Sequence, residues 1–221
     1  MMTTPRRSAA GDGRSGPRLY LVTPPLDAPA LTANLAEALQ AADVAAVLAR
    51  PPAVGEANLI ERVQAIAPTV QSRGAALLLD GHPEAVEPAG ADGAHVTGLA
   101  ALDTALPVLK PRYIVGCGGL SSRHDAMVAG ERGADYVMFG EHDHDGHRPA
   151  FAAVLDRVAW WAELFEIPCV GWAMTPDEAA ALAVAGADFV AIADAVWTDP
   201  RGPRAAVAVA AAQLRKAEPV P

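Results

Sequence analysis

The chain has 221 residues, of which 52% are apolar, 19% charged and 5% aromatic, and its formal net charge is −9. That length and composition indicate one large globular domain, and a single barrel of strands and helices is an ordinary outcome at this size. The acidic balance excludes nucleic acid as an expected partner, because neutralising phosphates takes clustered Lys and Arg. Any phosphate site must also be built locally, against an unfavourable overall field.

The cysteines and the chain start indicate the compartment. Cys117 and Cys169 both lie in apolar strand-like runs, so we expect a reduced, cytoplasmic protein. No run of about eighteen apolar residues occurs, so we expect neither a spanning helix nor a membrane partner. The first sixteen residues are basic, small and glycine-rich, without the apolar stretch of a secretory signal. We predict a disordered tail over residues 1–17 and one domain over residues 18–221.

Short β-branched runs alternate with longer alanine-rich stretches from Arg18 onward. The short runs predict strands near Leu19–Thr23, Val44–Ala49, Ala75–Asp80, Gly93–Val96, Tyr113–Cys117, Tyr136–Phe139, Pro168–Gly171 and Phe189–Ile192. The longer stretches predict helices near Pro29–Ala41, Glu56–Arg73, Pro83–Ala89, Asp103–Leu109, Ser121–Arg132, Pro149–Glu166, Pro176–Ala185 and Pro203–Lys216. Apolar strands separated by helices are typical of a parallel sheet covered by helices. We therefore predict an α/β fold, a single (β/α)8 TIM barrel, over a doubly wound open sheet.

A Gly-Ala-Asp tripeptide recurs at residues 90–92, 133–135 and 186–188, each time between a helix end and the next strand. We expect the glycine to end the helix in a left-handed conformation and the alanine to pack tightly. The aspartate is expected to hydrogen-bond local backbone at the bottom face of the barrel, where residues that stabilise the fold collect. We interpret the tripeptides as architectural.

Four segments, in this order and spacing, carry a family pattern. They are Leu19-Tyr20-Leu21-Val22-Thr23, residues 90–96 (GADGAHV), residues 133–140 (GADYVMFG) and Ile167-Pro168-Cys169-Val170. From Arg18 to its end the chain resembles thiamine phosphate synthase and its thiazole tautomerase relatives. The resemblance implies a transferase of thiamine biosynthesis that joins an aminopyrimidine methyl pyrophosphate to a thiazole phosphate. Pyrophosphate is released with the help of Mg²⁺, so such a site needs carboxylates, cations, hydroxyl donors and a glycine-rich phosphate loop.

Most of the positions that the resemblance marks as functional carry other residues here. After strand 2, Arg50 alone survives from the family's glutamine, arginine and lysine. After strand 3 the family's Asn-Asp is Asp80-Gly81, and after strand 4 the second metal aspartate falls at Ala100, although Asp103 lies one helical turn away. This removes carboxylates from the places where Mg²⁺ would be held.

The loops after strands 5 to 8 differ further from the family pattern. The family's serine at the pyrophosphate becomes Gly118, and the histidine of the tautomerase branch falls at Leu120. The Thr-x-Thr-Lys segment is replaced by residues 141–148 (EHDHDGHR). The Gly-Gly pair of strand 7 is replaced by Gly171-Trp172, and the serine of strand 8 by Asp194. A carboxylate at a phosphate site costs about 1 kcal/mol at 4 Å even in water.

We assign small-ligand contacts at the barrel mouth, without naming a catalytic residue, to Arg50, Asp80, Gly118, Gly119, Trp172 and Asp194. For Arg50, an anion contact and an ion pair with Asp80 both stay open. The glycines could bring backbone N–H groups close to an anion. Trp172 either lines a flat apolar pocket or packs under a loop. Homo-oligomer formation is also left open.

The loop after strand 6 is dense in possible metal ligands. It contains His142, His144 and His147, interleaved with Glu141, Asp143 and Asp145. Imidazoles and carboxylates at this density could bind Zn²⁺ or a similar transition metal, and the alternative is a solvated polar loop.

Three hypotheses follow for the function. The first is a synthase-like enzyme of thiamine biosynthesis, using Mg²⁺ if the family chemistry is retained, with weak or lost activity because of the replacements. The second is a non-catalytic family member that binds a small ligand or acts as a regulator. The third is a metal-dependent enzyme built around the histidine-rich loop.

Overall fold

Eight parallel strands close into a barrel, as predicted. The computed structural model describes residues 16–26, 30–51, 58–143 and 145–217. Neighbouring strands in the barrel follow chain order, and β1 pairs with β8 to close it. The strands are β1 Arg18–Pro25, β2 Val44–Arg50, β3 Ala76–Asp80, β4 Gly93–Thr97, β5 Ile114–Gly118, β6 Tyr136–Phe139, β7 Cys169–Ala173 and β8 Phe189–Ile192.

Helices connect the strands around the outside of the barrel. They are α1 Leu31–Ala41, α2 Leu59–Gln71, a 3-10 turn Pro83–Ala85 followed by α3 Val86–Ala89, α4 Leu99–Leu109, α5 Arg123–Arg132, α6 Phe151–Leu164, α7 Pro176–Val184, α8 Asp194–Trp197 and α9 Pro203–Ala217. The short α8 was not predicted. The start of α4 was predicted at Asp103 and lies at Leu99, because Gly98 caps this helix by its backbone conformation (φ 83°) and leaves no polar cap residue for a sequence signal.

Two apolar layers explain why the strands read as apolar throughout. One layer lies between the strands and the helices and contains both Cys117 and Cys169. The other fills the barrel interior with alternate strand residues: Tyr20, Val22, Ala46, Leu48, Leu78, Tyr136, Met138, Val170, Trp172, Ala191 and Ala193. Side chains alternate between the two layers along each strand, so most strands are apolar on both faces, and the buried His95 of β4 is an exception.

The three Gly-Ala-Asp tripeptides act at the bottom of the barrel as predicted. Their glycines have φ angles of 70°, 103° and 98°. Each aspartate accepts a backbone N–H from a neighbouring strand: Asp92 from Leu77 at 2.7 Å, Asp135 from Val115 at 2.7 Å, and Asp188 from Cys169 at 2.8 Å. The tripeptides therefore tie one strand to the next at the end away from the mouth.

Within the described ranges, the structure has no helix that combines the length and apolar character needed to cross a bilayer.

Candidate active site at the barrel mouth

Arg50 ends β2 and joins the carboxyl ends of three strands. Its Nε donates to the backbone oxygen of Thr23 at 2.5 Å, and its backbone N–H donates to the Thr23 hydroxyl at 3.1 Å. Its Nη2 lies 3.3 Å from Oδ1 of Asp194, the first residue of α8. Of the two alternatives left open for Arg50, the structure therefore gives an ion pair, but with Asp194 in place of Asp80. The reason is that Thr23 directs the guanidinium across β1 toward β8.

Asp80 ends β3 and lies opposite His95 of β4 in the parallel register. Burial raises the pKa of the half-buried Asp80 carboxyl. The nearby His95, Arg50 and His82 oppose this rise, whereas the charge of Glu141 adds to it. A carboxylate beside a well-placed cation shows the reverse shift. Burial is therefore the main cause of the raised pKa of Asp80, and the neighbouring positive groups do not fully offset it.

The glycines of β5 make room for two side chains from β6 and its loop. A Cβ on Gly116 would lie 1.9 Å from Cζ of Tyr136, and one on Gly118 would lie 1.7 Å from Oε2 of Glu141. The backbone N–H of Gly119 donates to the same Oε2 at 3.0 Å. The predicted anion position at Gly118 and Gly119 therefore holds an anion that belongs to the protein itself.

A buried chain of polar groups runs from the interior to this carboxylate. The hydroxyls of Tyr20 and Tyr136 lie 2.9 Å apart, and Tyr136 Oη lies 3.0 Å from Nδ1 of His95. His95 Nε2 lies 2.8 Å from Oε1 of Glu141. The His95 and Tyr136 rings also stack, with an interplanar angle of 16°. We assign Tyr20 as donor to Tyr136, Tyr136 as donor to Nδ1, and Nε2–H as donor to Glu141, because every proton then has an acceptor.

The pKa shifts in this buried chain of polar groups have two opposing causes. Burial disfavours a charge on His95, which is 1% exposed, but the charge of Glu141 and the hydrogen bond to it outweigh burial and raise the pKa of His95. Burial also raises the pKa of both tyrosines, so they stay protonated. Burial raises the pKa of the nearby Cys117 thiol to about 12, which excludes a reactive thiolate at neutral pH.

The sequence analysis did not predict this buried chain of polar groups, although the sequence contains a signal for it. In the sequence analysis, His95 is only one position of the segment of residues 90–96, and Glu141 is one residue of the polar loop after strand 6. The signal is the combination of a histidine inside the apolar run Gly93–Val96 with tyrosines at interior positions of two other strands. A buried histidine needs partners for both ring nitrogens, and a tyrosine hydroxyl inside a barrel can supply one.

Trp172 lies in the interior layer with 8% of its surface exposed, so it packs under a loop and lines the mouth only at its edge. Its backbone oxygen accepts from Nη2 of Arg148 at 2.8 Å. Arg148 also pairs with both carboxylate oxygens of Glu178, at 3.0 and 2.9 Å, and donates to the Gly140 oxygen at 3.3 Å. These contacts fix the far end of the loop that begins with Glu141.

Of the predicted metal ligands that the structure describes, His147 lies in a group of candidate ligands and His142 does not. His144 lies outside the described residues. His147 comes together with Asp143 and Asp145, with one ligand atom from each within 4.8 Å of the others, and all three residues are exposed. His142 lies edge-on to Trp172, with ring centroids 6.0 Å apart. The metal site stays a prediction, and its ligand set becomes Asp143, Asp145 and His147.

The residues of the mouth fit Mg²⁺ poorly. Mg²⁺ takes oxygen ligands in octahedral geometry, usually from one or two carboxylates together with substrate phosphates. Both oxygens of Glu141 already accept hydrogen bonds, and Asp194 pairs with Arg50. In the part of the chain that the structure describes, the mouth forms no group of three metal ligands. Asp103, the carboxylate closest to the replaced position in sequence, instead pairs with Arg132 at 2.7 Å.

Comparisons with known proteins agree on one relationship. A family model described as thiamine monophosphate synthase matches residues 19–196. A thiamine-phosphate synthase of Rhodospirillum centenum is 41% identical over 200 residues, covering 86% of this chain and 94% of that protein. One from Hyphomonas neptunium is 36% identical over 201 residues, covering 86% and 90%. The solved structure of a thiamine phosphate pyrophosphorylase from Pyrococcus furiosus superposes with a TM-score of 0.73 at 20% identity, over 90% of this chain and 96% of that one, and shows the shared fold.

Proposed function

Because this chain belongs to the thiamine phosphate synthase family, we propose that its mouth binds a small molecule of thiamine biosynthesis and that it performs synthase chemistry weakly or not at all. The names of the two bacterial relatives support the area of metabolism. The chemistry of the mouth supports the loss of activity.

The observation that carries this proposal is the poor fit of the mouth to a magnesium pyrophosphate. Asp80, Glu141 and Asp194 bring carboxylates to the mouth, and of these Glu141 and Asp194 are committed to partners within the protein. A pyrophosphate oxygen about 4 Å from one carboxylate is disfavoured by about 1 kcal/mol in water and by about 4 kcal/mol at an effective dielectric of about 20. Because the guanidinium of Arg50 is already paired with Asp194, it offsets this repulsion poorly, and the leaving group is poorly held.

The test is pyrophosphate release from the two synthase substrates in the presence of Mg²⁺. A family member that retains the Asn-Asp and Thr-x-Thr-Lys segments serves as the positive control under the same conditions. We expect turnover below about 0.01 s⁻¹, against the order of 1 s⁻¹ or more for an ordinary enzyme. Turnover equal to that of the control would contradict the proposal.

A metal-dependent enzyme is the second candidate, and it is favoured by the grouping of Asp143, Asp145 and His147. The measurement is metal content of the purified protein by mass spectrometry, before and after dialysis against zinc. One tightly held zinc per chain that is lost in His147→Ala would support this candidate. A protein that retains no zinc after dialysis would remove it.

A further inference from the structure

The Glu141 carboxylate lies in a pocket between two hydrogen-bond donors. One of its oxygens accepts from His95 Nε2 at 2.8 Å, and the other accepts from the Gly119 backbone N–H at 3.0 Å. A Cβ on Gly118 would lie 1.7 Å from Oε2, so the glycine leaves the space that the carboxylate fills. Two donors and a glycine therefore converge on the position of a single oxyanion, which the protein itself supplies.

His95 is the buried donor of this pocket, and its neighbours fix its direction. Its side chain is 1% exposed, Nδ1 lies 3.0 Å from the Tyr136 hydroxyl, and the two rings stack. In the neutral ring Tyr136 donates to Nδ1, and in the charged ring Nδ1 donates to Tyr136, so Nε2 carries a proton in both states. His95 therefore presents an N–H to the position of the Glu141 carboxylate whatever its own charge.

The charges around the pocket have both signs. Burial lowers the pKa of His95, but the charge of Glu141, the hydrogen bond to it and the charge of Asp80 outweigh burial and raise the pKa. The positive charge of Arg50 acts in turn on Asp80. An oxyanion that takes the place of the Glu141 carboxylate keeps this balance, whereas an empty pocket loses the partner of His95.

The pocket opens toward the mouth of the barrel. Glu141 follows β6 after Gly140, and its side chain is 15% exposed, whereas His95 behind it is almost fully buried. An oxyanion from solvent therefore reaches the two donors when the Glu141 side chain rotates away. A carboxylate that is tethered to the chain competes at a high effective concentration, so a foreign oxyanion meets an occupied site.

We propose that Glu141 is an autoinhibitory contact, which fills an oxyanion site formed by His95 and Gly119 and is displaced when a phosphate or carboxylate group of a ligand binds there. This inference rests on the proposed function, because it supplies a physical reason for weak synthase chemistry while keeping phosphorylated molecules as ligands. Hydrogen bonds to an ionised acceptor are among the stronger polar contacts in proteins, so both the internal and the foreign oxyanion are held well.

The experiment empties the pocket and measures whether an oxyanion takes the place of the side chain. Inorganic phosphate and acetate are titrated separately by calorimetry into the wild-type protein and Glu141→Ala, without Mg²⁺ or synthase substrates. We expect no saturation of the wild type up to about 10 mM and, for at least one anion, a dissociation constant of about 1 mM or lower in the variant. The two anions distinguish a phosphate from a carboxylate as the preferred group. Equal affinities of the two proteins for both anions would overturn the proposal.

Two further variants separate the pocket from a general loss of negative charge. Glu131→Ala removes an exposed carboxylate from α5 and should leave both affinities at their wild-type values. Gly118→Ala, added to Glu141→Ala, places a methyl group where the carboxylate oxygen lay and should abolish the gain in affinity. A gain that persists in this double variant, or that also occurs in Glu131→Ala, would refute the assignment to the pocket.

Thermal unfolding provides a second measurement. Glu141→Ala removes the acceptor of His95 and of the Gly119 N–H, so it should unfold at a lower temperature than the wild type. An anion that fills the pocket stabilises the folded state, so phosphate or acetate should raise the melting temperature of the variant more than that of the wild type. Equal shifts in the two proteins would count against the pocket. If Glu141→Ala does not fold, Glu141→Gln replaces it, because its amide offers one acceptor oxygen in place of two, and a smaller gain is expected.

Turnover and binding are measured separately, so the two proposals fail in different ways. Ordinary synthase turnover by the wild-type protein would overturn the proposed function, whichever anion the variant binds. The absence of any gain in the Glu141 variants would overturn the autoinhibitory contact and leave the low synthase activity in place.

Discussion

The two ends of this barrel use the same residue types in opposite ways. At the bottom, glycines end helices, and each of Asp92, Asp135 and Asp188 accepts a backbone N–H, so the carboxylates are satisfied by the scaffold. At the mouth, glycines open space for the side chains of Tyr136 and Glu141, and the carboxylates of Glu141 and Asp194 contact the side chains of His95 and Arg50. The comparison teaches that the stability of the fold and the specificity of the site reside at separate ends, as expected for a TIM barrel.

Gly116 and Gly118 of β5 leave the space that Tyr136 and Glu141 occupy, so a larger side chain there should disturb the mouth most severely. Gly116→Ala places a methyl group 1.9 Å from the buried Tyr136 ring and should destabilise the protein by about 3 kcal/mol, because the interior cannot yield. Chemical denaturation measures the loss. Gly74→Ala is the matched control, since nothing lies within 4 Å of the new Cβ there and only its positive φ opposes the change. Equal losses of unfolding free energy in the two variants would show that the Tyr136 ring does not restrict the space beside Gly116.

At the bottom, Asp135→Ala should cost about 2 kcal/mol of unfolding free energy. The Val115 N–H loses its acceptor at 2.7 Å, and Lys110 loses its partner. Asp135→Asn keeps an acceptor oxygen and should recover more than half of the loss. If the two variants are equally stable, the aspartate acts through its charge alone.

At the mouth, Asp80→Asn should stabilise the protein, whereas removing a carboxylate at the bottom should destabilise it. The pKa of Asp80 is raised in the folded state, so the folded protein binds its proton more tightly than the unfolded chain does. Wild-type stability is therefore lost as the pH rises from the unfolded pKa of Asp80 through the folded one. We expect a gain of about 1 kcal/mol at neutral pH, which disappears in acid where Asp80 is protonated. Denaturation curves across this pH range check it, and a gain that persists in acid would exclude the charge as its cause.

Asp194→Asn should have the smallest effect on stability, below about 0.5 kcal/mol, because its ion pair with Arg50 is largely exposed. Its visible effect should be on binding, since Arg50 loses its neutralising partner. Pyrophosphate affinity measured by calorimetry should rise from undetectable to weak. Unchanged stability together with unchanged pyrophosphate binding would mean that Asp194 does not control Arg50.

The fold was predictable in detail because its signals are local. The apolar runs, the alanine-rich stretches and the Gly-Ala-Asp tripeptides each lie within a few consecutive residues, and the strands they predict agree closely with those observed. The start of α4 was missed because the Gly98 backbone takes the place of a polar cap.

The sequence predicted where the site lies in the barrel, but it did not predict which residues contact one another there. The convergence of the predicted residues on the mouth follows from the fold, because all of them lie in the last two residues of a strand or just beyond its end: Arg50, Asp80, Gly118, Gly119, Trp172 and Asp194. Their partners did not follow. Arg50 pairs with a residue 144 positions away along the chain, and His95 reaches Glu141 across β5, contacts that no local pattern encodes.

By itself, the sequence determined the barrel and its family, because periodicity and short motifs depend on neighbours along the chain. Only the tertiary structure decided which side chains at the mouth contact one another. The barrel sets β4, β5 and β6 side by side, so the glycines of one strand admit the Glu141 carboxylate to the His95 of another. Whether a carboxylate is an open ligand or an internal partner depends on that three-dimensional proximity, since hydrogen bonds and charge pairing act over a few ångströms of space whatever the separation in sequence.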